Sequence, residues 1–118
     1  MAQDYSANVI QSTNDSSTRY QLDEKQKTQM FVIEERSERN LAEIETLRTS
    51  DYPLFLQKKQ AIRKNTIGSI HRMLNAEQRL VLDQERLAYR IETSDLIRQY
   101  RSEGKNKSEI ELLLLERG

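Results

Sequence analysis

Leu22-Asp23-Glu24-Lys25-Gln26 and Leu74-Asn75-Ala76-Glu77-Gln78 share one pattern: a leucine, a residue with a short polar side chain, two further residues, then a glutamine. Asp and Asn are strong helix N-caps, because a side-chain oxygen close to the backbone can accept from an unpaired amide of the first turn. A Gln three positions later can reach back to the cap residue's own amide and close a capping box. The two stretches therefore predict helices beginning at Asp23 and Asn75, and they frame the rest of the chain.

Downstream of the first box, Met30, Ile33, Ser37, Leu41, Ile44 and Leu47 recur at spacings of three and four. That is one face of a helix, predicted over residues 23–48. Phe31 and Val32 widen the face, while Glu34, Glu35, Glu38, Glu43 and Glu45 lie mostly elsewhere. Thr49-Ser50-Asp51-Tyr52-Pro53 breaks the pattern, since Pro disfavours the α conformation before it and suits a first turn. A second helix follows over 54–73, with Ile62, Thr66, Ile70 and Met73 as its stripe and Phe55, Ile67 and Leu74 beside it. Gly68 within it implies a close contact between helices. Between Asp51 and Glu77 no acidic residue occurs, yet Lys58, Lys59, Arg63, Lys64 and Arg72 do. An acid-rich helix thus precedes a basic one.

The helix from Asn75 carries Leu80, Leu87 and Ile91 on one side, with Val81 and Ala88 beside them. Thr93-Ser94-Asp95 predicts a bend or break, and Gly104 a stop. Ser108 and Glu111 read as a third capping box, opening a short helix over 109–117 around Leu112-Leu113-Leu114-Leu115. So short a helix must dock on something to persist in water. Residues 1–20 are rich in Ser, Thr, Asn and Gln and show no sustained apolar period, so they read as a flexible arm preceding a single helical domain over 21–118.

Composition agrees with this outline. Only 3 Gly and 1 Pro occur in 118 residues, and 32% of residues are charged against 36% hydrophobic. Such a chain favours long helices with modest cores. The expected fold is all-α: a helical hairpin, a third long helix and a short C-terminal helix, extended or bundle-like and dimeric. A net charge of +0 gives no strong overall pull on nucleic acid. The absence of Cys excludes disulfides, a thiol nucleophile and thiolate metal sites. No apolar run reaches the roughly 18 residues that a membrane span needs, and no apolar signal-peptide core is present.

The paired boxes also carry a family resemblance. The chain resembles the LTxxQ family of bacterial periplasmic proteins, the Spy- and CpxP-like group, whose Leu-Thr-x-x-Gln motif occurs twice and opens a helix each time. Here Asp23 and Asn75 stand in place of Thr, and Ala76 stands where the family commonly has Pro. The resemblance covers residues 20–90, and the two copies lie closer together than in the best-known members. It implies a helical hairpin that dimerises into a curved cradle, a periplasmic location, and ATP-independent chaperone or envelope-stress activity.

Catalytic chemistry finds no footing. His71 is the only histidine and has no partners at ligand spacing. Glu34, Glu35 and Glu38 could bind a hard cation but read as a solvated helix face. No catalytic, cofactor or metal residue is assigned. Residues 96–117 resemble the first two helices of a helix-turn-helix, but no third helix follows, and Glu109, Glu111 and Glu116 would repel phosphate. Nucleic acid is therefore not an expected partner. The expected binding face for unfolded or partner polypeptides is the basic helix, through Phe55, Leu56, Lys58, Lys59, Ile62, Arg63, Lys64 and Arg72. Charge there attracts at long range and apolar contact retains. The plainer alternative is that these cations pair with the acid-rich helix in a structural, partner-binding module.

Overall fold

A computed structural model describes residues 5–118 of the chain. Among them are six α-helices and no strand: α1 (Ala7–Tyr20), α2 (Glu24–Glu43), α3 (Leu47–Ser50), α4 (Tyr52–Met73), α5 (Ala76–Ser102) and α6 (Lys107–Arg117). The all-α expectation holds. The radius of gyration is 16.6 Å and the principal extents are 54 × 36 × 20 Å. A compact chain of this length would have a radius near 13 Å, so the molecule is elongated.

Both capping boxes form. The Asp23 carboxylate accepts from the Gln26 amide at 2.8 Å, and the Gln26 side chain accepts from the Asp23 amide at 3.1 Å. Asn75 and Gln78 do the same, at 2.9 Å each way. The two glutamines then meet. Gln26 Nε2 donates to Gln78 Oε1 at 2.7 Å, and Gln78 Nε2 donates to Gln26 Oε1 at 2.9 Å. Each also reaches the carbonyls that end the helix before the other box: Gln78 Nε2 to Tyr20 at 3.1 Å, Gln26 Nε2 to Met73 at 3.5 Å. The repeat in sequence is thus an approximate two-fold in space. The main core lies against this clasp and consists of Tyr20, Met30, Ile33, Ile70, Leu74 and Leu82, with Leu22, Ile67 and Met73 packed on it.

The flexible-arm expectation is corrected: from Ala7 onward the segment is a helix within the domain, while residues 1–4 lie outside the described residues. Val9, Thr13, Ser16 and Tyr20 form its buried row. Two of the four are small hydroxyl residues, which hydropathy counts as polar although they let two helices approach closely. Ser6 caps α1 by accepting from the Val9 amide at 3.2 Å, and its hydroxyl donates to Glu38 on α2 at 2.7 Å. Tyr5 stacks on Phe31 with ring centroids 4.7 Å apart. The helix ends on Gln21 in the left-handed region (φ 52°), with the Leu22 amide bonding back to the Ser17 carbonyl. That is a Schellman stop, and its closing apolar contact is the leucine of the first box. A side chain at positive φ costs about 1 kcal/mol. Gln21→Gly should therefore raise unfolding free energy by about 0.5–1 kcal/mol in a urea titration; unchanged stability would mean that the turn is unstrained.

Other boundaries shift for local reasons. α2 ends at Glu43 rather than near Arg48. Beyond it, amides bond three residues back, Leu47 to Ile44 and Arg48 to Glu45, and the hydroxyl of Ser50 bonds the Thr46 carbonyl. Such bonds compete with α-helix. α4 begins at Tyr52, with Asp51 accepting from the Leu54 amide at 3.2 Å and Pro53 in the first turn. Gly68 is not a close crossing: an added Cβ would sit in ordinary contact, 3.6 Å from an Arg72 side-chain nitrogen. α5 runs unbroken through Thr93–Asp95, where Thr93 and Asp95 are engaged within the helix. Thr93 Oγ1 donates to the Tyr89 carbonyl at 2.8 Å, and Asp95 pairs with Arg98. Gly104 (φ 82°) stops α5 in a second Schellman turn, with Lys105 bonding Tyr100 and Gly104 bonding Arg101. α6 is capped by Asn106 with Glu109, two residues before the predicted Ser108 and Glu111.

Candidate functional site

The basic helix does not present the expected face. Phe55 and Leu56 are buried, at 2% and 3% exposure, so neither can hold a partner. Phe55 packs under the Arg48 guanidinium at 4.4 Å and beside Tyr52. Ile62 is half-buried, while Lys58, Lys59, Arg63, Lys64 and Arg72 are exposed. These cations do not share one side. Arg63 and Lys64 line a groove towards α5, Lys59 with Arg63 lines a cleft against α6, and Arg72 with Lys64 and Arg36 lines a third hollow. Nor do they pair with the acid-rich helix: among the described residues no ion pair joins α2 to α4. The polar link between those helices is Arg36 Nη2 donating to Ser69 Oγ at 2.7 Å.

α5 has two apolar rows on opposite sides, and the row of Leu80, Leu87 and Ile91 is not the buried one. The inward row holds Leu82, Tyr89 and Leu96, seven residues apart, with Leu82 6% exposed. The outward row holds Leu80, Leu87 and Ile91, which remain 63%, 51% and 56% exposed. Val81 stands beside them at 37%. A helical period places residues on faces but cannot say which of two faces meets the neighbours.

Between α4 and α5, backed by the end of α1 and by Glu34 of α2, lies a groove of about 580 Å³. Ile67, Ile70 and Leu82 form its floor, and Tyr20 and Tyr89 contribute rings. The Arg19 guanidinium donates to Glu85 Oε2 at 3.0 Å and ties α1 to α5. Burial, reinforced by the facing Glu85, pushes the Tyr20 hydroxyl up to about 12. Burial also raises the Glu34 carboxyl, against the opposing pull of Arg19. Glu85 Oε1 is buried without a hydrogen-bond partner. At the far end the Tyr89 ring lies between two guanidiniums, Arg63 at 4.8 Å and Arg117 at 4.3 Å. Arg117 is itself held by Thr93 Oγ1 at 2.5 Å and Glu92 at 2.8 Å. The short C-terminal helix thus docks beside the groove, through Arg117 on the Tyr89 ring.

Of the residues predicted as a site, the structure brings Arg63 and Lys64 to this groove; Arg19, Tyr20, Arg86, Tyr89 and Arg90 were not foreseen. The seven-residue spacing of Leu82, Tyr89 and Leu96 points to the α5 members; no local signal marks Arg19 and Tyr20, which belong to α1. The other candidates disperse. Glu35 pairs with Arg39 within α2 at 3.1 Å, Glu38 takes Ser6, and Glu34 faces the groove. His71 is half-exposed, and its carbonyl accepts from Arg79 Nε at 2.7 Å. Among the described residues no three His, Cys, Asp or Glu side chains gather as a metal site would require. No described helix is long and apolar enough to cross a membrane. Geometry therefore defines an all-α protein with an outward apolar row and a cation-rimmed groove. Comparison with protein families, curated proteins and solved structures finds no match.

Proposed function

We propose that this chain is a non-enzymatic envelope protein akin to the ATP-independent periplasmic chaperone and stress proteins, and that it holds other polypeptides against the outward row of α5. The observation that carries the reading is that row. Three large aliphatic side chains stand in line on one helix, each more than half exposed. Apolar side chains lined up in water in this way mark an interaction surface. The exposed cations of α4 supply long-range attraction for acidic segments. Kinship with the LTxxQ family is supported by the two boxes, each opening a helix, with Gln26 and Gln78 joined across them.

The test is suppression of aggregation of a heat-unfolded client. Leu80→Gln, Leu87→Gln and Ile91→Gln combined should raise the protein needed for half-suppression by at least about tenfold, since together they remove well over about 1.4 kcal/mol of apolar contact, on the order of 1 kcal/mol each. Helicity by circular dichroism should not change, because the three side chains face solvent. Unaltered suppression would reject the row as the holding surface.

The same row favours a second reading, in which a second copy covers it and the protein is a structural homodimer. Light scattering separates the two: the triple variant would then turn a dimer into a monomer, and the wild type would show no suppression.

A further inference from the structure

We infer that the groove between α4 and α5 is a binding site for a small amphipathic anion, with a short apolar body and one carboxylate or sulfonate head. The site is separate from the outward row of α5 and does not depend on the polypeptide-holding reading.

Three observations carry it. First, the lining is asymmetric in charge. Five cationic side chains (Arg19, Arg63, Lys64, Arg86, Arg90) face two carboxylates, in a chain whose acidic and basic residues balance at 19 each. Arg19 is engaged by Glu85, and Glu34 sits on the inner wall near it. Arg63, Lys64, Arg86 and Arg90 have no carboxylate partner among the described residues. Positive charge therefore collects on the exposed lining, to which α4 contributes Lys64 and α5 contributes Arg86 and Arg90. Second, the interior is apolar. Ile67, Ile70, Leu82 and the rings of Tyr20 and Tyr89 would lie against a hydrocarbon or aromatic body. An apolar hollow with a few convergent charged groups is the usual form of a small-ligand site, and a volume of about 580 Å³ is within the usual range.

Third, the groove is bounded. Its base is the core itself, through Ile70 and Leu82. Towards α6 stand Arg63 and Tyr89, with Arg117 stacked on the tyrosine ring and Gln60 a turn further along α4. The lining runs from Gln60 to Ile70 on α4 and from Leu82 to Arg90 on α5; at about 1.5 Å per residue these stretches span roughly 12–15 Å. The Arg19–Glu85 pair closes the α1 side. A molecule roughly 12–15 Å long fits along this stretch, whereas a longer polypeptide would have to displace the Arg63–Tyr89–Arg117 stack.

Calorimetric titration with decanoate tests this, using decanol and decyltrimethylammonium as neutral and cationic counterparts of the same length. Decanoate should bind once per chain and at least about tenfold more tightly than either counterpart, as a head group meeting several unpaired cations requires. Lys64→Gln, Arg86→Gln and Arg90→Gln together should remove that preference; all three side chains are exposed, so the fold should persist by circular dichroism. The combined Leu80, Leu87 and Ile91 variant should bind decanoate normally, which separates this site from the outward row. Equal affinity for the three amphiphiles, many molecules bound per chain, no measurable heat, or insensitivity to the cation changes would each overturn the inference. Displacement of decanoate by an acidic Glu/Leu peptide of equal affinity would overturn it in favour of a groove that takes chains.

Discussion

Gln78→Ala should cost about 2–3 kcal/mol of unfolding free energy, the largest effect expected of any single polar side chain here. Gln78 is only 9% exposed, and its amide serves five groups, the weakest contact being Nε2 to the Gln21 carbonyl at 3.4 Å. Its oxygen accepts from the Asn75 amide and from Gln26, and its nitrogen donates to Gln26 and to the Tyr20 carbonyl. Truncation opens a capping box and leaves a helix-terminal carbonyl and a facing amide without partners in a nearly dry site. For a chain of this size the melting temperature should fall by about 10 °C. Gln26→Ala should cost less, about 1–2 kcal/mol, because Gln26 is half-exposed and water can replace part of what is lost. The double variant should cost less than the sum by about 1 kcal/mol, measured as a double-mutant cycle in urea. Strict additivity would mean that the two boxes act separately and that the clasp contributes no coupling. Gln78→Glu sharpens the test. A carboxylate can keep the Asn75 and Gln26 donors but cannot donate to Tyr20, so its protonated form is the better fit. The folded-state pKa would then lie above the unfolded one, and the variant's deficit should shrink as pH falls towards the unfolded value.

Leu82→Ala should cost about 2–4 kcal/mol and Leu87→Ala less than about 0.5 kcal/mol, although the two leucines lie five residues apart on the same helix. Leu82 is 6% exposed within the main core, and Leu87 is 51% exposed. The ratio of the two costs reads out which side of α5 faces inward. If Leu87 proves the costlier, the face assignment is wrong. If its cost grows with protein concentration, a second copy covers the outward row, because association stabilises by mass action.

Much of the architecture was legible in the chain before any coordinates, and the legible parts share a physical cause. Asp23 with Gln26 and Asn75 with Gln78 are local: cap and partner lie three residues apart, so the bond that starts each helix is written in adjacent letters. Asp51 and Pro53 before α4, and Gly104 after α5, are local in the same way. Where local signals competed, the sequence misplaced the boundary. Ser108 with Glu111 and Asn106 with Glu109 are both sound boxes, and the chain uses the earlier.

By itself the sequence determined the all-α class, the starts of α2, α4 and α5, and the acidic and basic halves of the hairpin, because capping and periodicity act over a few residues; it missed α1, whose buried row includes Thr13 and Ser16. Tertiary structure alone decided that Thr13 and Ser16 are core, that Phe55 and Leu56 are withdrawn from the surface, and that α5 turns Leu82 inward and Leu87 outward. It also decided that Gln26 and Gln78, 52 positions apart, share one pair of hydrogen bonds. These outcomes depend on which faces meet across long stretches of chain. Burial follows from the neighbours a face finds, and no window of a few residues contains those neighbours.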